Sequence, residues 1–343
     1  MSTPSRLSSL SFPLVLFLLL ALTLRAYADE SEIREPDSTP PETAVLLRFQ
    51  WSAPLRYEIN NQTTTTFEER PDLRQVFSTR MVIDYQPLSP IHRQVLPSWP
   101  FPERTGPTAP TSDQNHRNGS YLLSRVQEVS SGFDEPEELT APQNTYQLLT
   151  NATFSFHITP RGLIEDPRIH PPTSPLLQAN MRELLRLLSH SHPLLPEEPV
   201  APGAQWTDTT RFSLDEDSIQ KILELRFTYT FEQWVPCEDT WCAVIQVDQQ
   251  IQATGLILAG QRELRNTAEG RAEGRIVFHP EEGRVLHSRW RLSLSGTSRG
   301  IEDQDDLLRE IHHSRYHTEV DALTELLHDS GGQDLTTSPQ DQQ

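Results

Sequence analysis

Residues 225–232, Leu-Arg-Phe-Thr-Tyr-Thr-Phe-Glu, decide how this chain is read: Leu225, Phe227, Tyr229 and Phe231 alternate strictly with Arg226, Thr228, Thr230 and Glu232. A period of two is that of a β-strand with one face buried and the other in water. Cys237 and Cys242 follow, flanking Glu238-Asp239-Thr240-Trp241. Beyond them Ala243, Ile245, Val247, Ile251 and Ala253 stand opposite Gln246, Asp248, Gln250 and Gln252 in a second alternating run. Two such runs joined by a short spacer predict an antiparallel hairpin. The cysteines can face each other across its mouth, and a disulfide closing so short a loop stabilises by about 2 kcal/mol in the chain-entropy model. The four-residue spacer differs from Cys-Xaa-Xaa-Cys and no second thiol pair exists to complete a zinc site, so the expected bridge is structural.

Working outward, residues 45–51, 55–67 with the run Thr63-Thr64-Thr65-Thr66, and 75–85 are rich in β-branched and aromatic side chains and read as strands. Residues 154–164 and 276–286 resemble one another, each a strand, a turn containing proline and glycine, and another strand. One segment is helical by pattern: Ser174 caps, Pro175 suits the first position, and Leu177, Met181, Leu184, Leu185 and Leu188 form a stripe that ends at His192-Pro193. Seven prolines between residues 86 and 120 exclude a helix or central strand there, leaving a surface loop that Trp99 and Phe101 can pin to the body. The fold class expected is mainly β (α+β). Two antiparallel β-rich halves, 45–170 and 204–328, are bridged by one amphipathic helix at 174–190 and a proline-rich connector, within 171–203.

The termini carry no such pattern. Residues 1–28 combine Arg6, an apolar run over 12–24 and Ala26-Tyr27-Ala28, which fits a signal peptide cleaved after Ala28. As a helix, about 13 residues rising about 1.5 Å each span about 20 Å, short of the roughly 30 Å hydrocarbon layer. The mature chain is therefore expected to be secreted or periplasmic and to have no transmembrane segment. Residues 29–44 read as a flexible acidic lead-in and 329–343 as a disordered tail.

The order of leader, Thr-rich opening strands, amphipathic helix and long hairpin, and above all the connector Leu-Leu-Pro-Glu-Glu-Pro-Val-Ala-Pro-Gly-Ala-Gln-Trp at 194–206, resembles a class of secreted bacterial proteins of unknown function. The resemblance implies a two-part antiparallel β fold and assigns no activity, so it brings no catalytic residue. The proline-rich loop and the Cys237/Cys242 hairpin depart from it.

Composition narrows the chemistry. The 343 residues carry a formal charge of −19, and a single lysine, Lys221, among 29 basic residues gives no nucleic-acid footprint. No Gly-Xaa-Ser-Xaa-Gly elbow, His-Glu-Xaa-Xaa-His helix, phosphate loop or dinucleotide fingerprint occurs, so no catalytic residue and no cofactor is expected. His313 and His317 are the candidate metal pair: they share one face of a strand and converge if 307–320 is helical. Carboxylate runs such as Asp215-Glu216-Asp217 read as solvated surface. Asn61, Asn118 and Asn151 begin Asn-Xaa-Ser/Thr triplets that are chance matches in a bacterial protein.

The resulting expectation is a non-catalytic extracytoplasmic protein, structural or binding a protein or ligand in the cell envelope. Trp206, Phe227, Tyr229 and Phe231 can line a sheet-helix groove for a lipid or other apolar ligand. An unrecognised hydrolase or a metal binder is the remaining alternative. The partner is thus an unknown envelope protein or an apolar ligand, not a nucleic acid.

Overall fold

The computed structural model describes residues 39–88, 119–133, 149–170, 193–216, 219–237, 239–259, 262–304 and 307–327. Alternation becomes strand throughout: β1 (Leu55–Phe67), β2 (Arg70–Pro87), β3 (Ser120–Phe133), β4 (Thr153–Ile158), β5 (Ile164–Ile169), β6 (Gln205–Glu216), β7 (Ile219–Cys237), β8 (Thr240–Ala259), β9 (Arg262–His279), β10 (Arg284–Gln304) and β11 (Leu307–Leu327). They form one eleven-stranded sheet in the order β5-β4-β3-β2-β1-β11-β10-β9-β8-β7-β6, antiparallel at each pairing.

This corrects the expected pair of β-rich halves bridged by a helix. The halves are fused edge to edge, because β1 pairs with β11 from Arg56 opposite Leu327 to Phe67 opposite Tyr316. The pairing follows from the alternation itself. Tyr57, Ile59, Asn61, Thr63 and Thr65 turn to the same face as Thr318, Val320 and Ala322, and all are buried, so the first and last strands join along their length over a common core. Among the described residues there is no helix, and the segment 174–190 lies outside them.

The sheet curls around one main apolar core drawn from β1 to β4 and β7 to β11, with Ile164 and Ile169 of β5 and Trp206 of β6 packed against it. Phe154, Phe156, Phe231 and Phe278 lie inside it with no more than 1% exposure. Burying a side chain of this size stabilises by about 1.5–3 kcal/mol. The outward face is polar, with Gln246, Asp248, Gln250, Glu269, Arg271, Glu273, Arg275 and Arg291 exposed. Two devices bend the long strands. Register shifts interrupt β2–β3 at Val82/Ile83, β7–β8 at Phe231/Gln233 and β9–β10 at Val285/His287. At Gly274 the Trp290 ring lies over the backbone, where a Cβ would come within 2.5 Å of it.

Residues 45–51, expected as a strand, keep the alternation but not the ladder. Leu47, Phe49 and Trp51 are buried in the core, while among the described residues the segment makes a single isolated bridge, Val45 to Val200. The two look-alike hairpins explain how the segment is held. The β4–β5 turn accepts the Phe49 N–H at Pro160 O (2.7 Å) and the β9–β10 turn accepts the Gln50 N–H at Gly283 O (3.0 Å). Gly283 has φ +61°, and a Cβ there would collide with the backbone of Arg48 and Gln50. The two turns therefore play one role, clasping 48–50 from both sides. Residues 45–51 thus plug the interior, and the connector 193–204 lies against this plug, Val45 and Val200 exchanging N–H···O bonds at 2.8 and 2.9 Å, while Leu195 N–H donates to Arg161 O and Gly203 N–H to Phe231 O. Arg48 Nη1 donates to Pro196 O at 2.6 Å.

The β7–β8 hairpin forms with its disulfide, Cα–Cα 5.7 Å. Cys237 is opposite Thr240 and Cys242 opposite Val235, so the bridge runs diagonally rather than between facing residues. It is buried with Val244 and Val277 in a small satellite cluster.

Candidate ligand-binding interior

The inside of the sheet divides into two unlike halves. Around the plug it is aromatic: Phe49 meets Phe278 edge-on at 5.3 Å, and Trp51 meets Tyr85 edge-on at 5.4 Å. Tyr57 donates its hydroxyl to Val285 O at 2.8 Å, and burial pushes its pKa up, so it stays a neutral donor. The four residues expected to line a groove sit along β6 and β7. Trp206 stacks on Tyr229 (5.5 Å) and Tyr229 on Phe227 (5.8 Å), while Phe231 meets Trp234 edge-on. Phe227, Tyr229 and Phe231 are buried and Trp206 is partly exposed, its indole N–H tied to Leu194 O at 2.5 Å.

Away from the plug the inward positions turn small and polar. On β1 they are Asn61, Thr63 and Thr65, with exposures of 4%, 3% and 2%. Tyr316 and Thr318 on β11, Asn266 on β9 and Ser298 on β10 continue the band, all buried. The wall beside them is built from Ala253, Ala268, Gly270, Ala272 and Gly296. Thr65 and Thr318 bond to each other, but Asn61 and Asn266 have neither amide atom paired. The hydroxyls of Thr63, Ser131 and Tyr316 and the indole N–H of Trp290 likewise have no protein partner among the described residues. A buried polar group left unpaired costs about 1–3 kcal/mol, so a band of them is expensive unless something else satisfies it. Burial raises the Tyr316 hydroxyl to about 12, leaving it protonated at neutral pH. No Asp, Glu, Lys or Arg is buried among the described residues.

Sequence reasoning passed over these side chains. Asn61 and Thr63 drew notice only as parts of a triplet and of a Thr run. The signal was present, because residues 60–66 are polar at odd and even positions alike. A strand that is polar on both faces yet lies mid-sheet must turn one polar face into the core.

Other constellations are less productive. His313 and His317 lie on β11, so strand geometry puts them about 13 Å apart. His317 Nδ1 contacts Ser295 Oγ at 3.0 Å. Among the described residues no group of three or more His, Cys, Asp or Glu could hold a metal ion. Just past β5, His170 Nε2 lies 3.0 Å from Ser155 Oγ on β4, and His157 Nδ1 of β4 lies 3.1 Å from Glu165 Oε2 of β5. Burial, and then Arg168, lower the His170 pKa toward the neutral imidazole a base requires. Ser155 is 4% exposed in the middle of a strand with neighbours on both sides, an environment of packing rather than of substrate access.

No protein-family model and no curated protein matches the chain. Solved structures with some likeness include an outer membrane channel from Pseudomonas putida F1, with 8% identity, 85% of this chain and 100% of that one covered, and a TM-score of 0.17. A BenF-like porin from Pseudomonas fluorescens Pf-5 gives 6% identity, coverage of 81% and 100%, and a TM-score of 0.16. OpdO of Pseudomonas aeruginosa gives 8%, coverage of 82% and 98%, and 0.15. Scores this low carry no residue or role across. The expectation of a mature chain without a transmembrane segment rests on helices alone. No helix among the described residues is long and apolar enough to cross a membrane, but this chain folds as strands, and a helix-based criterion says nothing of a crossing made by a closed β-barrel. That expectation is withdrawn.

Proposed function

We propose that the protein is a non-catalytic protein of the cell envelope that holds an amphipathic ligand inside its curled sheet. The observation that carries this reading is the interior band of Asn61, Thr63, Asn266 and Tyr316, buried and with side-chain atoms that have no hydrogen-bond partner among the described residues, beside a wall of glycine and alanine. At the aromatic end Leu47, Phe49 and Trp51 fill the interior, and at the polar end the Tyr316 ring lies over Gly296. Export is supported by the leader sequence and by the buried Cys237–Cys242 disulfide, which suits an oxidising compartment.

The test is to purify the protein from its native envelope, denature it, extract with organic solvent and analyse the extract by mass spectrometry. A stoichiometric small molecule, absent from an extract of the Asn61→Leu/Tyr316→Phe double variant, is expected. A protein that is folded and empty would instead favour a structural or protein-binding role.

A further inference from the structure

The two hairpins that clasp the plug are held shut by different chemistry. In the β4–β5 turn Thr159 does the holding: its carbonyl accepts the Gly162 N–H at 2.9 Å and its hydroxyl the Leu163 N–H at 3.0 Å. In the β9–β10 turn His279 stands in the same relation to the chain. Its carbonyl accepts the Gly283 N–H at 2.9 Å and its ring Nδ1 the Glu282 N–H at 3.2 Å. A ring nitrogen that accepts a backbone N–H carries no proton, so the imidazole in this turn is neutral with its hydrogen on Nε2. Histidine ordinarily changes charge between about pH 5 and 8, a range in which a threonine hydroxyl does not titrate.

We infer that His279 is an acid-sensitive latch on the plug. When Nδ1 takes a proton from solvent it becomes a donor facing the Glu282 N–H, the bond between them is lost, and the 280–283 turn loosens its hold on residues 48–50. The path to the plug is short. Gly283 follows Glu282, gives its carbonyl to the Gln50 N–H at 3.0 Å, and lies so close that a Cβ on it would stand 2.3 Å from Gln50 N and 2.6 Å from Arg48 O. The turn therefore cannot shift without moving the plug. Its surroundings do not favour the cation. His279 is 3% exposed, and a charge taken out of water is costly unless it is paired. Arg284 stands opposite it on β10 with its guanidinium on Glu282, Glu281 meets Thr240 of β8, and Arg48 of the plug is turned to the carbonyls of Pro196 and Glu197. Among the described residues the imidazole makes no ion pair. The Thr159 turn has no such dependence, so acid opens one jaw of the clasp and leaves Pro160 O on the Phe49 N–H.

The experiment follows amide hydrogen exchange of the full-length mature protein by mass spectrometry at about pH 7.5 and about pH 5, either side of the ordinary histidine range. Exchange is expressed as protection factors, which remove the intrinsic effect of pH, and the parent is compared with His279→Asn. The asparagine Oδ1, like Nδ1, stands one bond beyond Cγ and accepts without titrating. In the parent, protection of residues 48–51 and 280–284 should fall about tenfold at the lower pH, the scale of one lost hydrogen bond, while that of 159–163 holds. In His279→Asn neither should change. A fall of equal size in His279→Asn, or none in the parent, would overturn the inference. The imidazole ¹⁵N resonances of the parent give a second reading that does not depend on the variant folding: a proton on Nδ1 of His279 at the higher pH overturns it as well.

Discussion

The hydroxyls of Thr65, on the first strand, and Thr318, on the last, lie 3.3 Å apart inside the sheet. They mark the seam that turns two runs of strands into one body, and both are buried with no route to water. Thr318→Val leaves the Thr65 hydroxyl unpaired in the core and should destabilise by about 1–3 kcal/mol. The double replacement Thr65→Val/Thr318→Val should cost less than the sum of the single ones, because no orphaned group remains. Urea denaturation of the four proteins of the cycle checks this.

Arg48 holds the connector to the plug. Its guanidinium donates to Leu47 O and Pro196 O, both at 2.6 Å, and to Glu197 O, while Arg161 Nε donates to Leu195 O at 3.0 Å. Arg48→Ala should lower stability by about 2 kcal/mol, within the range for hydrogen bonds to a charged group. Amide exchange should quicken at Leu195 and Val200 before it does in β8 and β9. Arg48→Lys should recover little, since one ammonium cannot span the carbonyls that the fork reaches.

The outward face predicts a pH signature. Glu58 and Glu325 stand opposite each other across β1–β11, with His287 opposite Glu325 on β10. A hydrogen bond from Arg80 holds Glu58 below the usual carboxylate range, whereas burial and then Glu58 itself push Glu325 above it. A raised carboxyl destabilises the folded state when ionised. Glu325→Gln should therefore stabilise at pH 7, by about 0.5 kcal/mol for a like-charge pair. That gain should shrink as pH falls through the raised value. Glu58→Gln should do the opposite, costing stability at pH 7, with the difference from the parent shrinking as pH falls from the ordinary carboxylate range through the lowered value of Glu58. Thermal midpoints from pH 3 to about pH 7 for the three proteins distinguish the signs.

Cys237 and Cys242 close a hairpin of five-residue separation under a buried cluster. Replacing both by alanine should lower stability by about 2 kcal/mol in the chain-entropy model and leave the sheet intact. Because Cys242 has no exposed surface, mild reductant should fail to open the native bridge. Mass spectrometry after alkylation, with and without denaturant, reads this directly.

How much was legible in the residues follows from which interactions are local. The β7–β8 hairpin was plain because alternation at 225–231 and 243–253 and the cysteine turn all lie within one stretch. The joining of β1 to β11 was not, because it pairs residues such as Thr63 and Val320 that no turn connects. Each half satisfied its own pattern, and nothing in that pattern says which edge meets which. Residues 45–51 misled for a related reason: period two reports an extended chain with one buried face, not whether a ladder accompanies it. The polar band was passed over because Asn and Thr in a strand read as a wet face, and only the buried position of β1 between β2 and β11 reverses that reading.

A crystal structure of the protein purified from its native envelope, at a resolution that shows ordered solvent, tests the central claim most directly. The account predicts continuous density, belonging to no side chain, within hydrogen-bond distance of Asn61 and Thr63 and extending along Leu292 and Leu294. Side chains that instead close on one another, with the Asn61 amide paired within the protein and no foreign density, would contradict it.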